Sequence, residues 1–114
     1  GGGLGMLYEA LQDEPMSHDL LSDMAALLLA AGKLEHAAGY AQRALQAHSL
    51  HGPSLYTLAF ALSGLGETDR AIGVLTELQS GAGRESLQSE APELIPVAMI
   101  ELERLRRSRA GDKA

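Results

Sequence analysis

The chain has 114 residues, no cysteine, no tryptophan, 46% apolar and 21% charged side chains, the size and composition of one globular domain. The lack of cysteine excludes disulfides, thiolate zinc sites and cysteine nucleophiles. A net charge of −6 argues against a basic face for phosphates, so no nucleic-acid partner is expected; the longest uncharged stretch, residues 44–66, is broken by Gly52 and Pro53, so no integral membrane segment is expected either.

Gly1, Gly2 and Gly3 read as an expression scar, and no Lys or Arg precedes an apolar run as it would in a secretory signal. Met6 then reads either as a native start or as an internal residue of a fragment. The cytoplasm is the expected compartment, with the periplasm or a membrane periphery as alternatives.

Apolar spacing predicts helices over 4–13, 18–31, 34–47, 53–65, 68–80 and 92–109, with almost nothing reading as strand. Self-comparison organises them. Gly32 and Ala37 recur as Gly66 and Ala71 at an offset of 34 residues, and Leu21, Met24, Ala25 and Leu28 recur as Leu55, Leu58, Ala59 and Leu62 at the same offset. Each set has the i, i+3, i+4, i+7 spacing of one helix face. Shifting back once more places Ala10 on the register of Ala44, so a partial copy precedes two complete ones. Within each copy two helices meet at a glycine suited to the left-handed residue that ends the first of them. Thr68 or Asp69 can cap the following helix in the second copy, whereas Gly32, Lys33 and Leu34 offer no such side chain. Ala25, Ala37, Ala59 and Ala71 sit where a larger residue would hold the paired helices apart.

After Gly83 the register fails. Residues 81–91 are polar and Gly-containing and read as a loop before a final helix. Either Pro92 opens that helix and Pro96 kinks it, or the helix begins at Pro96. The expected units are a partial repeat over 4–17, repeats over 18–51 and 52–85, a loop over 86–91, a capping helix over 92–110 and a disordered tail over 111–114. A cap fits because a repeat array must cover its last open face; docking into another chain is the alternative.

Chemistry-bearing patterns are sparse. The glycine pairs at 64 and 66, and at 81 and 83, precede no lysine in phosphate-loop spacing and follow no strand. His48 and His51 form His-x-x-His in an inter-repeat loop with no third ligand nearby in sequence, so no metal is expected, and His18 and His36 read as surface or helix-end residues. The carboxylate pairs Asp13 with Glu14 and Glu101 with Glu103 read as solvated. No catalytic residue, cofactor or enzymatic activity is expected. Charge is uneven: residues 1–101 carry 4 basic and 13 acidic side chains, and residues 102–114 carry 5 and 2. Arg104, Arg106, Arg107 and Arg109 suit the end of a helix, whose dipole they complement by ~0.3–1 kcal/mol each at low salt; the alternative is contact with an acidic partner or anionic surface.

A 34-residue helix-turn-helix with a small residue at position 8, Gly at 15 and Ala at 20 resembles the tetratricopeptide repeat. Counting from Gly52, the second copy matches at Leu58, Ala59, Gly66, Asp69, Ala71 and Leu75; counting from His18, the first matches at Ala25, Gly32, Ala37, Ala44 and Leu45. In the partial copy Leu7, Ala10, Leu11 and Pro15 fit the closing half of a repeat. Ser49 and Gly83 stand where proline is usual, Leu28 and Leu62 where tyrosine is usual, and Leu55 replaces the usual tryptophan. The resemblance implies an all-α solenoid of about two and a half repeats with a C-terminal capping helix, acting as a protein-interaction module. It also implies a concave groove lined by Asp19, Ser22, Ala26, Leu29 and Ala30 of one repeat and by Pro53, Tyr56, Phe60, Ser63 and Gly64 of the next. Family members that clamp a peptide carboxylate use Lys and Asn at places where this chain has Ser22, Ala26 and Thr57, so that activity is not expected. An apolar groove suits an amphipathic helix or an extended hydrophobic segment of a partner protein. A small secretion-type chaperone, or a structural unit that assembles into a homo-oligomer, is the rival reading, and coverage of the groove by the chain itself is the rival explanation of its apolar residues.

Overall fold

A computed structural model describes residues 17–113, which form helices and no strand among the described residues. These are α1 (His18–Ala30), α2 (Leu34–Ala47), α3 (Gly52–Gly64), α4 (Thr68–Thr76), α5 (Gly81–Glu90) and α6 (Leu94–Lys113). The expected helix over 4–13, and with it the body of the partial repeat, lies outside the described residues. The fold is all-α and repeat-like, with extents of 50 × 27 × 22 Å that suit a stack of helix pairs.

The 34-residue period is written into the backbone. Gly32 has φ of 79° and Gly66 of 82°, the left-handed conformation that costs an L side chain energy and glycine none. At the first turn Lys33 N–H donates to Leu28 C=O and Gly32 N–H to Leu29 C=O; at the second, Glu67 N–H donates to Leu62 C=O and Gly66 N–H to Ser63 C=O. Both are Schellman motifs, which satisfy helix-end carbonyls that would otherwise lack a partner. Neither Lys33 nor Glu67 caps the next helix with its side chain, and helix α4 already includes Thr68 and Asp69, so the expected cap from those two residues is not formed. The tight turn leaves Glu67 in the capping position instead.

The small residues allow the close pairing. Ala25, Ala37, Ala59 and Ala71 have no exposed surface, and Leu21, Met24 and Leu28 of α1 enter the same core as Leu55, Leu58 and Leu62 of α3. Helix α1 packs on α2 and α3, and α3 packs on α2, α4 and α5.

Three local expectations change. Helix α4 stops at Thr76 instead of running to residue 80: Glu77, Leu78 and Gln79 donate to carbonyls three residues back, a tightening that buries Leu78 completely. The segment 81–91, expected as loop, holds helix α5 over Gly81–Glu90. Its cause is tertiary. Leu87 is fully buried, Gly52 N–H donates to Ser86 Oγ at 2.8 Å, and a Cβ at Gly52 would collide with the Leu87 backbone. Ser86 lies one period after Gly52, so the array continues for one more helix despite its polar composition. The last helix runs over Leu94–Lys113, which corrects the bounds 92–110 and the disordered tail at 111–113. Pro96 falls within the first turn, where a missing N–H removes no helical bond, and Gly111 costs an ongoing helix only about 1 kcal/mol.

Candidate functional site

Helices α1 and α3 lie side by side, and the equivalent positions Ser22 with Tyr56 and Asp23 with Thr57, one period apart, face a common cleft. Ser22, Asp23, Ala26, Leu29, Ala30, Pro53, Tyr56 and Thr57 line it, joined by Leu94 from the start of α6, around a volume of ≈ 290 Å³. Helical spacing explains the set: Ser22, Ala26 and Leu29 stand at i, i+4 and i+7, and Pro53, Tyr56 and Thr57 at i, i+3 and i+4 on the next helix. The lining is mostly apolar, and Asp23 sets a single carboxylate at its edge. Burial in this setting raises the Asp23 pKa above its ordinary value, with Asp19 adding in the same direction and His51 opposing.

Of the groove residues expected from sequence, Ser22, Ala26, Leu29 and Tyr56 meet in this cleft, with Ala30 and Pro53 beside them. Asp19, Phe60, Ser63 and Gly64 do not line it. Asp19 turns toward His18 and His51. Phe60 stacks obliquely on Tyr56, with ring centroids 4.6 Å apart, and both rings are half-buried. Ser63 is taken up by α6: its hydroxyl donates to Glu101 Oε2 at 2.6 Å, and Arg104 holds the same carboxylate through Nε and a second nitrogen at 2.8 and 2.6 Å. These contacts pull the Glu101 carboxyl below its ordinary pKa, the Arg104 hydrogen bond being the largest cause, while partial burial opposes them. Burial, and then the Glu101 charge, raises the Tyr56 phenol. Helix α6 therefore covers the end of the α3 face and leaves the α1 side open.

Sequence reasoning missed Asp23, Leu94 and the Glu101 anchor. Asp23 is adjacent to an expected groove position, so its presence at the rim follows from helix geometry. Leu94 arrives from outside the repeat and has no signal in the period. Glu101 reads as solvated in sequence because its Ser63 partner lies 38 residues away.

The arginine cluster is mostly engaged within the chain. Arg104 pairs with Glu101, Arg107 with Glu103, and Arg109 with Asp69 at the start of α4. Arg106 is exposed and has no ion pair among the described residues. Three of the four arginines therefore tie α6 to itself or to α3 and α4, and because the helix runs on to Lys113, Arg104, Arg106 and Arg107 lie before its last turn instead of at its end.

The His-x-x-His of the inter-repeat loop gains the neighbours that the sequence does not show. The rings of His18, His48 and His51 gather with centroids 4.8–5.5 Å apart, between the start of α1, the end of α2 and the start of α3. No described helix is long and apolar enough to cross a membrane. No protein-family model matches the chain, and no curated protein matches it.

Proposed function

We propose that the chain is a non-catalytic interaction module of the tetratricopeptide type that binds an amphipathic helix or extended hydrophobic segment of a partner protein in the α1–α3 cleft. The observation that carries this reading is the convergence of Ser22 and Tyr56, one period apart, with Ala26 and Leu29 on one apolar cleft that is open to solvent. Burying apolar surface there yields ~25 cal/mol per Å² before ordering costs. Asp23 at the rim adds register, favouring a segment that carries a cation beside its apolar stripe.

The identical Schellman turns after α1 and α3 support the family reading, since they repeat at the 34-residue offset that carries the resemblance. A scaffold or adaptor role fits an open cleft better than a secretion-type chaperone, because α6 already shields the Ser63 end of the face. The test is affinity capture from an extract of the source organism, comparing the chain with Ala26→Glu and with Tyr56→Glu. Loss of one retained protein from both variants, with circular dichroism unchanged, is the expected result. Retention of the same proteins by both variants overturns the cleft as the binding site.

A further inference from the structure

We propose that His18, Asp19 and His51 form a binding site for a divalent transition-metal ion of the zinc class. Their candidate ligand atoms lie within 4.8 Å of one another. His18 Nε2 is 3.4 Å from Asp19 Oδ1, and His51 Nε2 is 3.9 Å from the same oxygen. In a tetrahedral zinc site with bonds of about 2.0–2.1 Å the ligand atoms stand about 3.3 Å apart, so small side-chain rotations close this triangle around an ion. Glu90 Oε2 lies 3.0 Å from His51 Nε2 and adds a second negative charge beside the triangle, which leaves the remaining coordination position to water.

A second observation points to a ligand. The His51 side chain is 3% exposed, yet its Nε2 has no hydrogen-bond partner of good geometry, although Glu90 Oε2 stands 3.0 Å from it as an ion-pair neighbour. An imidazole nitrogen buried in that condition carries an energetic cost that a metal bond removes. The opposite ring atom is fixed, since His51 Nδ1 lies 2.7 Å from Ser54 Oγ inside α3. With Nδ1 donating to that hydroxyl, Nε2 presents its lone pair to the site, the arrangement by which outer partners orient metal-binding histidines. The ring of His48 stacks on His18 at 4.8 Å and limits its swing.

The donor set decides the class of ion. Two imidazoles with a carboxylate favour zinc and its neighbours, whereas magnesium and calcium demand oxygen ligands throughout. The carboxylates also answer an electrostatic objection: the starts of α1 and α3 both direct partial positive charge at this junction, and Asp19 with Glu90 offset it. Bound there, the ion joins the start of α1 to the start of α3, and so clamps the boundary between the two repeats.

The experiment uses the full chain, stripped with chelator and titrated with zinc chloride by calorimetry, with thermal melting followed in parallel. One ion per chain and a raised melting temperature are expected, with no response to magnesium. His18→Ala and Asp19→Asn, both at partly or fully exposed positions, should each weaken binding by at least about tenfold with circular dichroism unchanged. His36→Ala, on the outer face of α2, should bind as the parent does. Imidazole resonances of His18 and His51 should shift on titration while that of His36 stays fixed. Absence of zinc binding overturns the proposal, as does binding that survives both His18→Ala and Asp19→Asn unchanged.

Discussion

At the scale of single residues the account turns on size and on left-handed backbone. Ala71 is fully buried between α3 and α4, so Ala71→Leu should overpack the pair and lower stability by ~1–3 kcal/mol, read as a reduced midpoint in urea with the slope preserved. Alanines and glycines of this kind were legible in the sequence, because a small residue recurring at a fixed offset among large apolar ones has a packing cause. The candidate cleft was legible to the same extent: Ser22, Ala26, Leu29 and Tyr56 follow from helix phase. Asp19 was not, since its side chain responds to His51, which is 32 residues away and whose burial no local pattern signals. Glu101 was misread for the same reason. Its pKa is lowered in the folded chain, so it contributes stability above the unfolded carboxylate value and loses it as pH falls through the lower folded value. Glu101→Gln should lower stability at pH 7 by about 1 kcal/mol, below the usual range for a charged hydrogen bond because Arg104 is solvent-screened. The same variant should flatten the acid limb of the stability profile.

At the scale of elements, α1 to α3 were predicted within a residue of their bounds because each has a periodic apolar face and a turn signal at its end. Helix α5 is the contrasting case. Its ten residues hold one large apolar side chain, Leu87, so no periodicity exists to detect, and the helix forms because docking on α3 overrides weak local preference. That cause makes a specific prediction. Gly52→Ala places a methyl group against the Leu87 backbone and should undock α5, at a cost of ~1–3 kcal/mol. Amide exchange should then accelerate from Gly81 to Glu90 while α1 and α2 keep their protection; uniform protection across α5 would show that the contact is not what holds the helix.

At the scale of the whole molecule, a repeat array has two ends, and here α6 closes one of them. It packs chiefly on α4, buries Ala98, Leu102 and Leu105, and is pinned at Ser63 and Asp69. Deleting residues 94–114 should therefore uncover the α4 face and produce self-association, seen as mass rising with concentration in light scattering; a monomeric and equally stable truncation would contradict the capping role. The sequence supplied the cap as an idea but not its path, because Leu94 and Glu101 reach the α3 face through contacts that lie outside the period. What remains open after α6 has folded back is the α1 side of the cleft, and the central claim is that a partner segment fills it. Site-specific photo-crosslinking tests this most directly, with a benzophenone side chain placed at Ala26 in the cleft or at Arg43 on the outer face of α2. The account predicts that Ala26 yields a discrete crosslinked partner in the source organism's extract, absent from the Arg43 sample. Equal crosslinking from both positions, or an Ala26 adduct consisting only of a second copy of this chain, would contradict it.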